Sequence, residues 1–243
     1  MKPKTGIIYA CDTSDRELGV HLIGQVAPYI DVVKVGLEAM TLEDENGVTL
    51  ASSFRARAKR ASLGCFWDIK MLDVKNTMAA SAKNIAASGV DMFTLHANAS
   101  DSALSAVALA AEESNVLALA VTVLTDLDDD MCRSRFGTTA RKAVLQFARI
   151  AYGCGIRGFV CSAQEAALLR SDLPDSDKII LVTPAIRPSW SVGTDEQKRV
   201  TTPTDAARAS ADYIVVGRPI SNPPLSMGHA QAARMIREEL DAA

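Results

Sequence analysis

The feature that most restricts the fold of this chain is a series of short apolar segments that alternate with helical patterns. The segments have the length and the β-branched content of buried strands, and turn residues bound them. We predict eight strands, at Gly6 to Ala10, Val32 to Val35, Gly64 to Asp68, Val90 to His96, Leu117 to Leu124, Gly158 to Cys161, Ile179 to Val182 and Tyr213 to Val216. Such alternation indicates a parallel sheet, and eight units in 243 residues predict a closed (β/α)8 TIM barrel.

Helical patterns fill most of the intervals between these strands. We predict helices at Arg16 to Ala27, Leu50 to Ser62, Met78 to Ser88, Ser100 to Glu113, Thr139 to Tyr152, Ala163 to Arg170, Pro203 to Ala209 and Met227 to Leu240. The stretches 36–47 and 125–130 are predicted to be irregular. No Pro-, Gly- or Ser-rich linker divides residues 1–243, so we predict a single domain. An open doubly wound sheet is the main alternative, but no Gly-x-Gly-x-x-Gly follows the first strand.

Composition excludes several classes of function. The net charge is −3 without a long basic run, so we expect no binding to polymeric nucleic acid. The five cysteines are odd in number and form no Cys-x-x-Cys pair, which favours reduced core thiols in a cytoplasmic protein. The apolar run from Val116 to Leu124 is too short to span a bilayer, and no residue set has convincing metal-ligand spacing. We therefore expect no membrane segment and no metal site.

The densest group of charges follows the third predicted strand, in the sequence Asp68-Ile69-Lys70-Met71-Leu72-Asp73. Side chains two positions apart on a strand share a face, so Asp68 and Lys70 are predicted to point the same way. An ammonium among carboxylates stays protonated, and it can deliver a proton or hold a developing anion. The motif by itself leaves open a second interpretation, a surface salt bridge at the end of a strand.

Other polar residues interrupt the apolar pattern at strand ends, where barrel enzymes carry their chemistry. They are Asp12, Lys34, Asp68, Lys70, His96, Thr122, Thr125, Arg187 and Arg218. Unpaired charge inside a small barrel is costly, so an interleaved network of acids and bases is the expected arrangement. A hydrogen-bonded structural histidine is the more typical interpretation of His96, with a general base as the alternative.

The loops after the seventh and eighth strands form the usual phosphate site of such barrels. Gly217 permits close backbone approach there, and the guanidinium of Arg218 can hold phosphate oxygens in a bidentate fork. Gln197 lies in a polar loop that is long enough to act as a lid, with Gly193 as a hinge. For Arg187 and for Arg218, the alternative interpretation is a solvated arginine on the surface.

Eight motifs in order resemble the orotidine 5′-phosphate decarboxylase family over nearly the whole chain. They are Ala10-Cys11-Asp12, Val33-Lys34-Val35-Gly36, Asp68-x-Lys70-x-x-Asp73 with Asn76-Thr77, Leu95-His96-Ala97, Ala120-Val121-Thr122-Val123-Leu124-Thr125, Val160-Cys161-Ser162-Ala163-Gln164-Glu165-Ala166, Thr183-Pro184-Ala185-Ile186-Arg187 and Val216-Gly217-Arg218. Each is weakly specific alone, whereas all eight in the family's order are highly specific.

The resemblance implies cofactor-free decarboxylation of orotidine 5′-monophosphate to uridine 5′-monophosphate, in pyrimidine synthesis. Lys70 would protonate the C6 carbanion, and Asp68 would lie against the substrate carboxylate. Lys34 and Asp12 would hold the ribose hydroxyls. The family forms homodimers, so Asp73 and Thr77 would act in the neighbouring subunit's site. Thr125 matches the position that reads the pyrimidine edge, and the remaining substrate-binding positions on the phosphate side are Pro184, Arg187, Gln197, Gly217 and Arg218.

Three residues depart from the family's pattern. Lys75 follows Val74 where the family usually has Pro, which restores a backbone N–H and adds a charge at the expected dimer interface. Ala185 replaces the Gly of Thr-Pro-Gly, which removes easy access to positive φ. Asp126 stands where a small neutral residue is common, so an additional carboxylate is expected near the base-reading end. None of the three is Lys70 or Asp68, and we expect activity to survive.

Two other functions remain open from the sequence. Mg²⁺-dependent decarboxylases of keto-sugar phosphates and hexulose-phosphate aldolases resemble the chain in Asp-x-Lys-x-x-Asp, but Lys34 and the Thr-Pro-x-Ile-Arg block favour the nucleotide enzyme. A non-catalytic barrel that binds a phosphorylated ligand is the second alternative. Retention of Lys34, Lys70, Asp68 and Asp73 favours an enzyme over it.

Overall fold

Eight parallel strands close into a barrel in a computed structural model that describes residues 5–191 and 201–243. Each strand pairs with the next in sequence, and the first pairs with the last. The strands are β1 (Gly6–Ala10), β2 (Val32–Gly36), β3 (Gly64–Met71), β4 (Met92–His96), β5 (Leu117–Val121), β6 (Gly158–Val160), β7 (Ile180–Thr183) and β8 (Tyr213–Val216). The predicted (β/α)8 barrel is confirmed.

Helices connect successive strands. They are α1 (Arg16–Val26), α2 (Leu37–Thr41), α3 (Leu50–Arg60), α4 (Lys75–Ala87), α5 (Asp101–Glu113), α6 (Asp129–Phe136), α7 (Ala140–Gly153), α8 (Ala163–Asp172), α9 (Pro203–Arg208), α10 (Arg218–Ser221) and α11 (His229–Asp241), with 3-10 turns at Ala27–Tyr29 and Ser189–Ser191. Side-chain caps set several of their starts; for example, Ser100 accepts from the Ala103 N–H at 3.3 Å. In the part of the chain described here, no helix has the length and apolarity needed to cross a bilayer.

Three short helices, α2, α6 and α10, were not predicted from the sequence. The acidic stretch read as a loop is the start of α6: Asp128 accepts from the Met131 N–H at 3.0 Å, and two further aspartates occupy the first turn. Carboxylates at this end complement the helix dipole, and Gly137 at φ 71° ends the helix. Helix α2 begins directly after β2, and α10 begins one residue after β8. They span only five and four residues, too short to show helical periodicity.

Apolar side chains fill the inside of the barrel. The interior cluster consists of Ile8, Ala10, Val32, Phe66, Met92, Leu119, Val182 and Val215. Two positions further along β2, β3 and β4, the same inward-facing rows continue with Lys34, Asp68 and Thr94. Polar groups therefore cover the carboxyl-terminal side of the apolar cluster, which we call the mouth.

The opposite, amino-terminal end, which we call the floor, carries aspartates of its own. Asp31, Asp91 and Asp212 directly precede β2, β4 and β8. Each accepts a backbone N–H from the preceding odd-numbered strand, at 2.7 Å from Ile7, 2.8 Å from Cys65 and 2.7 Å from Leu181. Arg237 pairs with Asp31, and Arg170 pairs with Asp212. The floor carboxylates thus join neighbouring strands rather than face a cavity.

Candidate active site

Four charged side chains of alternating sign form a row at the mouth. Lys34 Nζ lies 3.2 Å from Asp12 Oδ1 and 3.3 Å from Asp68 Oδ2, and Lys70 Nζ lies 2.9 Å from Asp68 Oδ1. Strands β2 and β3 and the end of β1 supply them, so sequence positions 12 to 70 converge on one edge of the barrel. The predicted contact of Lys70 with Asp68 is confirmed, as is the interleaved network of acids and bases.

Burial makes this pairing necessary. The side chains of Lys34 and Asp68 are 11% and 14% exposed. Burial by itself raises the pKa of Asp68, but the ammoniums of Lys34 and Lys70 outweigh it and hold that pKa below its usual value. Burial likewise lowers the pKa of Lys34, while Asp12 and Asp68 more than reverse the effect and raise it. Both groups therefore stay charged at neutral pH.

The backbone that carries Lys70 is irregular. Trp67 pairs with Phe93 and Met71 with Leu95, so three residues of β3 lie opposite Thr94 alone. Within this bulge Lys70 has φ 49°, a left-handed conformation that is uncommon for a residue other than glycine. The strand predicted to end at Asp68 instead continues to Met71. The strand is longer than predicted because, after the bulge, Met71 pairs with β4 again.

A cavity of about 560 Å³ opens beside the row. Five of the predicted site residues line it: Lys34, Asp68, Lys70, Thr125 and Pro184. The remaining lining is apolar, from Phe66, Val121, Val123, Leu124, Val160, Val182 and Val215. Charges on one wall and apolar side chains on the others suit a small ligand that has both a polar edge and a flat apolar body.

A second cavity, of about 540 Å³, lies on the other side of Asp12. Gly217 and Arg218, from the end of β8 and the start of α10, line it together with Asp12 and Thr13. A Cβ on Gly217 would lie 3.5 Å from the Ala10 Cβ, an ordinary van der Waals contact, so the backbone here approaches β1 without crowding. Asp12 thus connects the charged row with the two residues predicted to bind phosphate.

Three predicted residues within the described ranges, Asp73, Thr77 and Arg187, do not line these cavities. Asp73 and Thr77 are exposed, and Asp73 accepts from the Val74 N–H at 2.6 Å. Arg187 is buried, donates to the Ile186 carbonyl at 2.9 Å and lines neither cavity. Gln197 and Gly193 lie outside the described residues. The binding roles of all these residues stay predictions.

Sequence reasoning missed Thr94, which is fully buried on β4. Its hydroxyl donates to Asp68 Oδ1 at 2.9 Å and accepts the Lys70 backbone N–H at 2.9 Å. A threonine in an apolar run is typical of an ordinary strand, so it gave no reason to expect a functional role. However, Thr94 lies two residues after Met92 and therefore on the same inward face of the strand, and this position indicates a site residue. His96, two residues further on, is half-buried, and burial together with the Lys70 ammonium lowers its pKa.

The three departures from the family's pattern have different outcomes. Ala185 does adopt positive φ, at 65°, so the turn requires the conformation that glycine favours and alanine accepts it at a cost of about 1–2 kcal/mol. Lys75 is the first residue of α4 and is exposed. Asp126 is exposed and is not among the residues that line the 560 Å³ cavity, so the expectation of an additional carboxylate at the base-reading end is not supported.

The fold and the mouth together define a (β/α)8 barrel with charged strand ends beside a cavity, the arrangement typical of barrel enzymes. The profile described as "Orotidine 5'-phosphate decarboxylase / HUMPS family" matches residues 5–234. The chain is 32% identical to the orotidine 5′-phosphate decarboxylase of Heliobacterium modesticaldum, over 99% of this chain and 97% of that protein. It is 38% identical to the one from Chromobacterium violaceum, over 88% and 84% of the two chains.

A solved structure shows the same likeness. The crystal structure of orotidine 5′-phosphate decarboxylase from Lactobacillus acidophilus superposes with a TM-score of 0.79 at 26% identity, covering 98% of this chain and all of that one. The chain therefore belongs to the orotidine 5′-phosphate decarboxylase / HUMPS family, and its curated relatives are decarboxylases.

Proposed function

We propose that this protein converts orotidine 5′-monophosphate to uridine 5′-monophosphate and carbon dioxide, a step of pyrimidine synthesis, and that it needs no cofactor. The observation that carries the proposal is the position of Lys70, whose ammonium lies 2.9 Å from Asp68 on the wall of a largely apolar cavity. A fixed cation in such a cavity stabilises negative charge far more than it would in water.

The chemistry requires that cation. When the bond between C6 and the carboxylate breaks, its electron pair stays on C6 as a vinyl carbanion without a delocalised sink. The Lys70 ammonium stabilises this pair and then transfers its proton to C6. Asp68, held ionised by two lysines, lies next to the substrate carboxylate, so repulsion between them is relieved as carbon dioxide leaves. Lys70 regains its proton from water after product release.

Residues further from C6 position the nucleotide. Lys34 and Asp12 hold the ribose hydroxyls and complete the charged row, which their 3.2 Å contact supports. Thr125 reads the pyrimidine edge from the wall of the same cavity. The phosphate is bound by Gly217 and Arg218, with Gln197, Arg187 and Pro184 as further contacts. Binding energy from the phosphate, far from the reacting carbon, serves to close the site and orient the ring.

We also propose a homodimer in which Asp73 and Thr77 reach the partner's site. Within one chain, no ion pair joins Asp73 to an ammonium in the described ranges. Asp73 lies between two apolar side chains, Leu72 and Val74, which are 54% and 68% exposed. A second copy that covers these side chains would remove apolar surface from water and take Asp73 into a neighbouring mouth.

The decisive experiment follows the loss of orotidine monophosphate absorbance with purified protein and no added cofactor, with and without excess chelator. We expect equal rates in both samples. Strict dependence on Mg²⁺ would instead indicate a keto-sugar-phosphate decarboxylase or hexulose-phosphate aldolase, and binding without turnover would indicate a non-catalytic barrel. The Lys34 ammonium supports the first outcome, since it already occupies the space between the Asp12 and Asp68 carboxylates.

Subunit mixing tests the shared site. Asp73→Ala and Lys70→Ala proteins are each expected to be inactive, but hybrids of the two would contain one site with both residues intact. We expect mixing under conditions of subunit exchange to restore part of the activity. Absence of recovery, with exchange verified by native mass spectrometry on tagged subunits, would show that Asp73 acts in its own chain or not at all.

A further inference from the structure

Thr94 occupies the only position on β4 that faces the bulge in β3. Regular pairing stops at Trp67 with Phe93 and resumes at Met71 with Leu95. A β-strand interrupted in this way loses the ladder hydrogen bonds that normally fix its backbone. On its other side β3 pairs with β2 as far as Asp68, opposite Gly36, so neither ladder holds the backbone of Lys70. Some other group must therefore fix Lys70 relative to Asp68.

The hydroxyl of Thr94 makes one hydrogen bond to each of these residues. It accepts the backbone N–H of Lys70 at 2.9 Å and donates to Asp68 Oδ1 at 2.9 Å. The same carboxylate oxygen lies 2.9 Å from Lys70 Nζ. One side chain thus fixes both the main chain of the cation and the carboxylate that pairs with it, in a region where it is itself fully buried.

The conformation of Lys70 needs this support. A residue other than glycine in the left-handed region is strained, and such strain persists only where the surroundings impose it. At φ 49° the Lys70 N–H is directed to the Thr94 oxygen rather than to a β4 carbonyl. Without that acceptor the peptide is free to relax, which would move the side chain away from the cavity.

We propose that Thr94 is a positioning residue for the decarboxylation: its hydroxyl holds the Lys70 backbone and the Asp68 carboxylate in the geometry that places the ammonium where negative charge develops. This inference rests on the proposed function for its kinetic consequence but not for its structural one. A displacement of about 1 Å at such a site is sufficient to reduce turnover by about 100-fold.

The test compares Thr94→Val, which keeps the shape and removes the hydroxyl, with Thr94→Ser, which keeps the hydroxyl. Thr183→Val is the matched control, because Thr183 is also fully buried at a strand end but its hydroxyl has no hydrogen-bond partner in the described structure. We expect kcat to fall about 10- to 100-fold in Thr94→Val with a much smaller change in KM. Thr94→Ser and Thr183→Val should stay within about threefold of the parent.

Two further measurements separate positioning from general damage. Amide hydrogen exchange at Lys70 should accelerate in Thr94→Val and stay slow in Thr94→Ser, with melting temperatures that confirm folding. The acid limb of the kcat profile should move to higher pH in Thr94→Val, because Asp68 loses a hydrogen bond that favours its ionised form.

The outcomes distinguish this inference from the proposed function. If the parent protein does not turn over orotidine monophosphate, the proposed function is wrong, while hydrogen exchange at Lys70 still decides whether Thr94 fixes the bulge. If the parent is active and folded Thr94→Val matches it in kcat and in exchange at Lys70, the positioning role is overturned. A serine variant as impaired as the valine variant would also overturn it, since the hydroxyl would then not be the group that matters.

Discussion

The two ends of this barrel use the same residue type in opposite ways. At the floor, the carboxylates of three aspartates accept backbone N–H groups of the neighbouring strand and so join strands; they are Asp31, Asp91 and Asp212. At the mouth, Asp68 meets two ammoniums and a threonine hydroxyl beside a cavity. The comparison shows that the position of an aspartate in this barrel decides whether it joins neighbouring strands or pairs with ammoniums beside a cavity.

The largest expected effect tests the mouth alone. Lys70→Ala should lower kcat by at least about 1,000-fold, because it removes both the cation and the proton donor. Binding of uridine monophosphate and the melting temperature should change little. Fluorescence titration and thermal melts check these, with Lys178→Ala, an exposed lysine 68% accessible, as control. Turnover equal to that of the parent would remove Lys70 from the mechanism.

The matching change at the floor should reverse this pattern. Asp212→Ala leaves the Leu181 N–H without its acceptor and the mostly buried Arg170 without its carboxylate, with backbone carbonyls as its remaining partners, so the free energy of unfolding should fall by about 2–4 kcal/mol. In the folded protein at 25 °C, kcat should be unchanged.

Denaturant titration measures the loss in Asp212→Ala. Glu238→Ala is the control, since Glu238 forms only an exposed pair with Arg234 and should cost under about 0.5 kcal/mol. A large fall in kcat without a loss of stability would break the division between floor and mouth.

The pH dependence of the mouth follows from the depressed pKa of Asp68. Its ordinary value is about 3.9, so the stability that its pairing contributes is fully present above that pH and is lost as pH falls through the lower folded value. The acid limb of kcat should therefore lie below pH 4. In Lys34→Met the carboxylate loses an ammonium, its pKa rises, and the limb moves to higher pH. Identical limbs in both proteins would show that Lys34 does not control Asp68.

The smallest expected effect concerns Lys75, an exposed residue that follows β3 and does not line the cavity. Lys75 is the first residue of α4, where proline is favoured, and Val74 before it already has the extended conformation, ψ 157°, that precedes proline. Lys75→Pro should raise unfolding free energy by about 0.4–1 kcal/mol without changing kcat. A decrease in stability on denaturant titration would show that Lys75 contributes contacts of its own.

Much of the fold was predictable because its signal is local. Each apolar segment from Gly6 to Val216 became a strand, since buried parallel strands need only short apolar runs between turn residues. The charges of Asp68 and Lys70 were equally visible in the local sequence, but regular strand alternation does not account for their contact, because Lys70 lies in a bulge at φ 49°. The local pattern does not show how a strand pairs with its neighbour. The bulge arises from the pairing of β3 with β4, so the extension of β3 to Met71 and the hydrogen bonds of Thr94 could not be predicted, although the inward-facing position of Thr94 could.

The sequence indicated Asp73 and Arg187 as polar residues near strand ends, but their specific roles came from the resemblance. Within one chain Asp73 is exposed and Arg187 is buried, so local pattern could not predict the surroundings of either residue. Helix α6 was missed for a simpler reason. A run of aspartates is equally typical of a loop and of the start of a helix, and only the structure shows that Asp128 caps a helix.

The bulge in β3 means that Lys70 is held by a side chain, whereas most strand residues are held by the backbone ladder. All eight strands pair to close the barrel, whereas the bulged residues of β3 are joined to β4 through the Thr94 hydroxyl. A substitution that removes this hydroxyl changes the support of Lys70 and leaves the paired segments of the barrel as they are. Position 94 is therefore where we would first compare related chains.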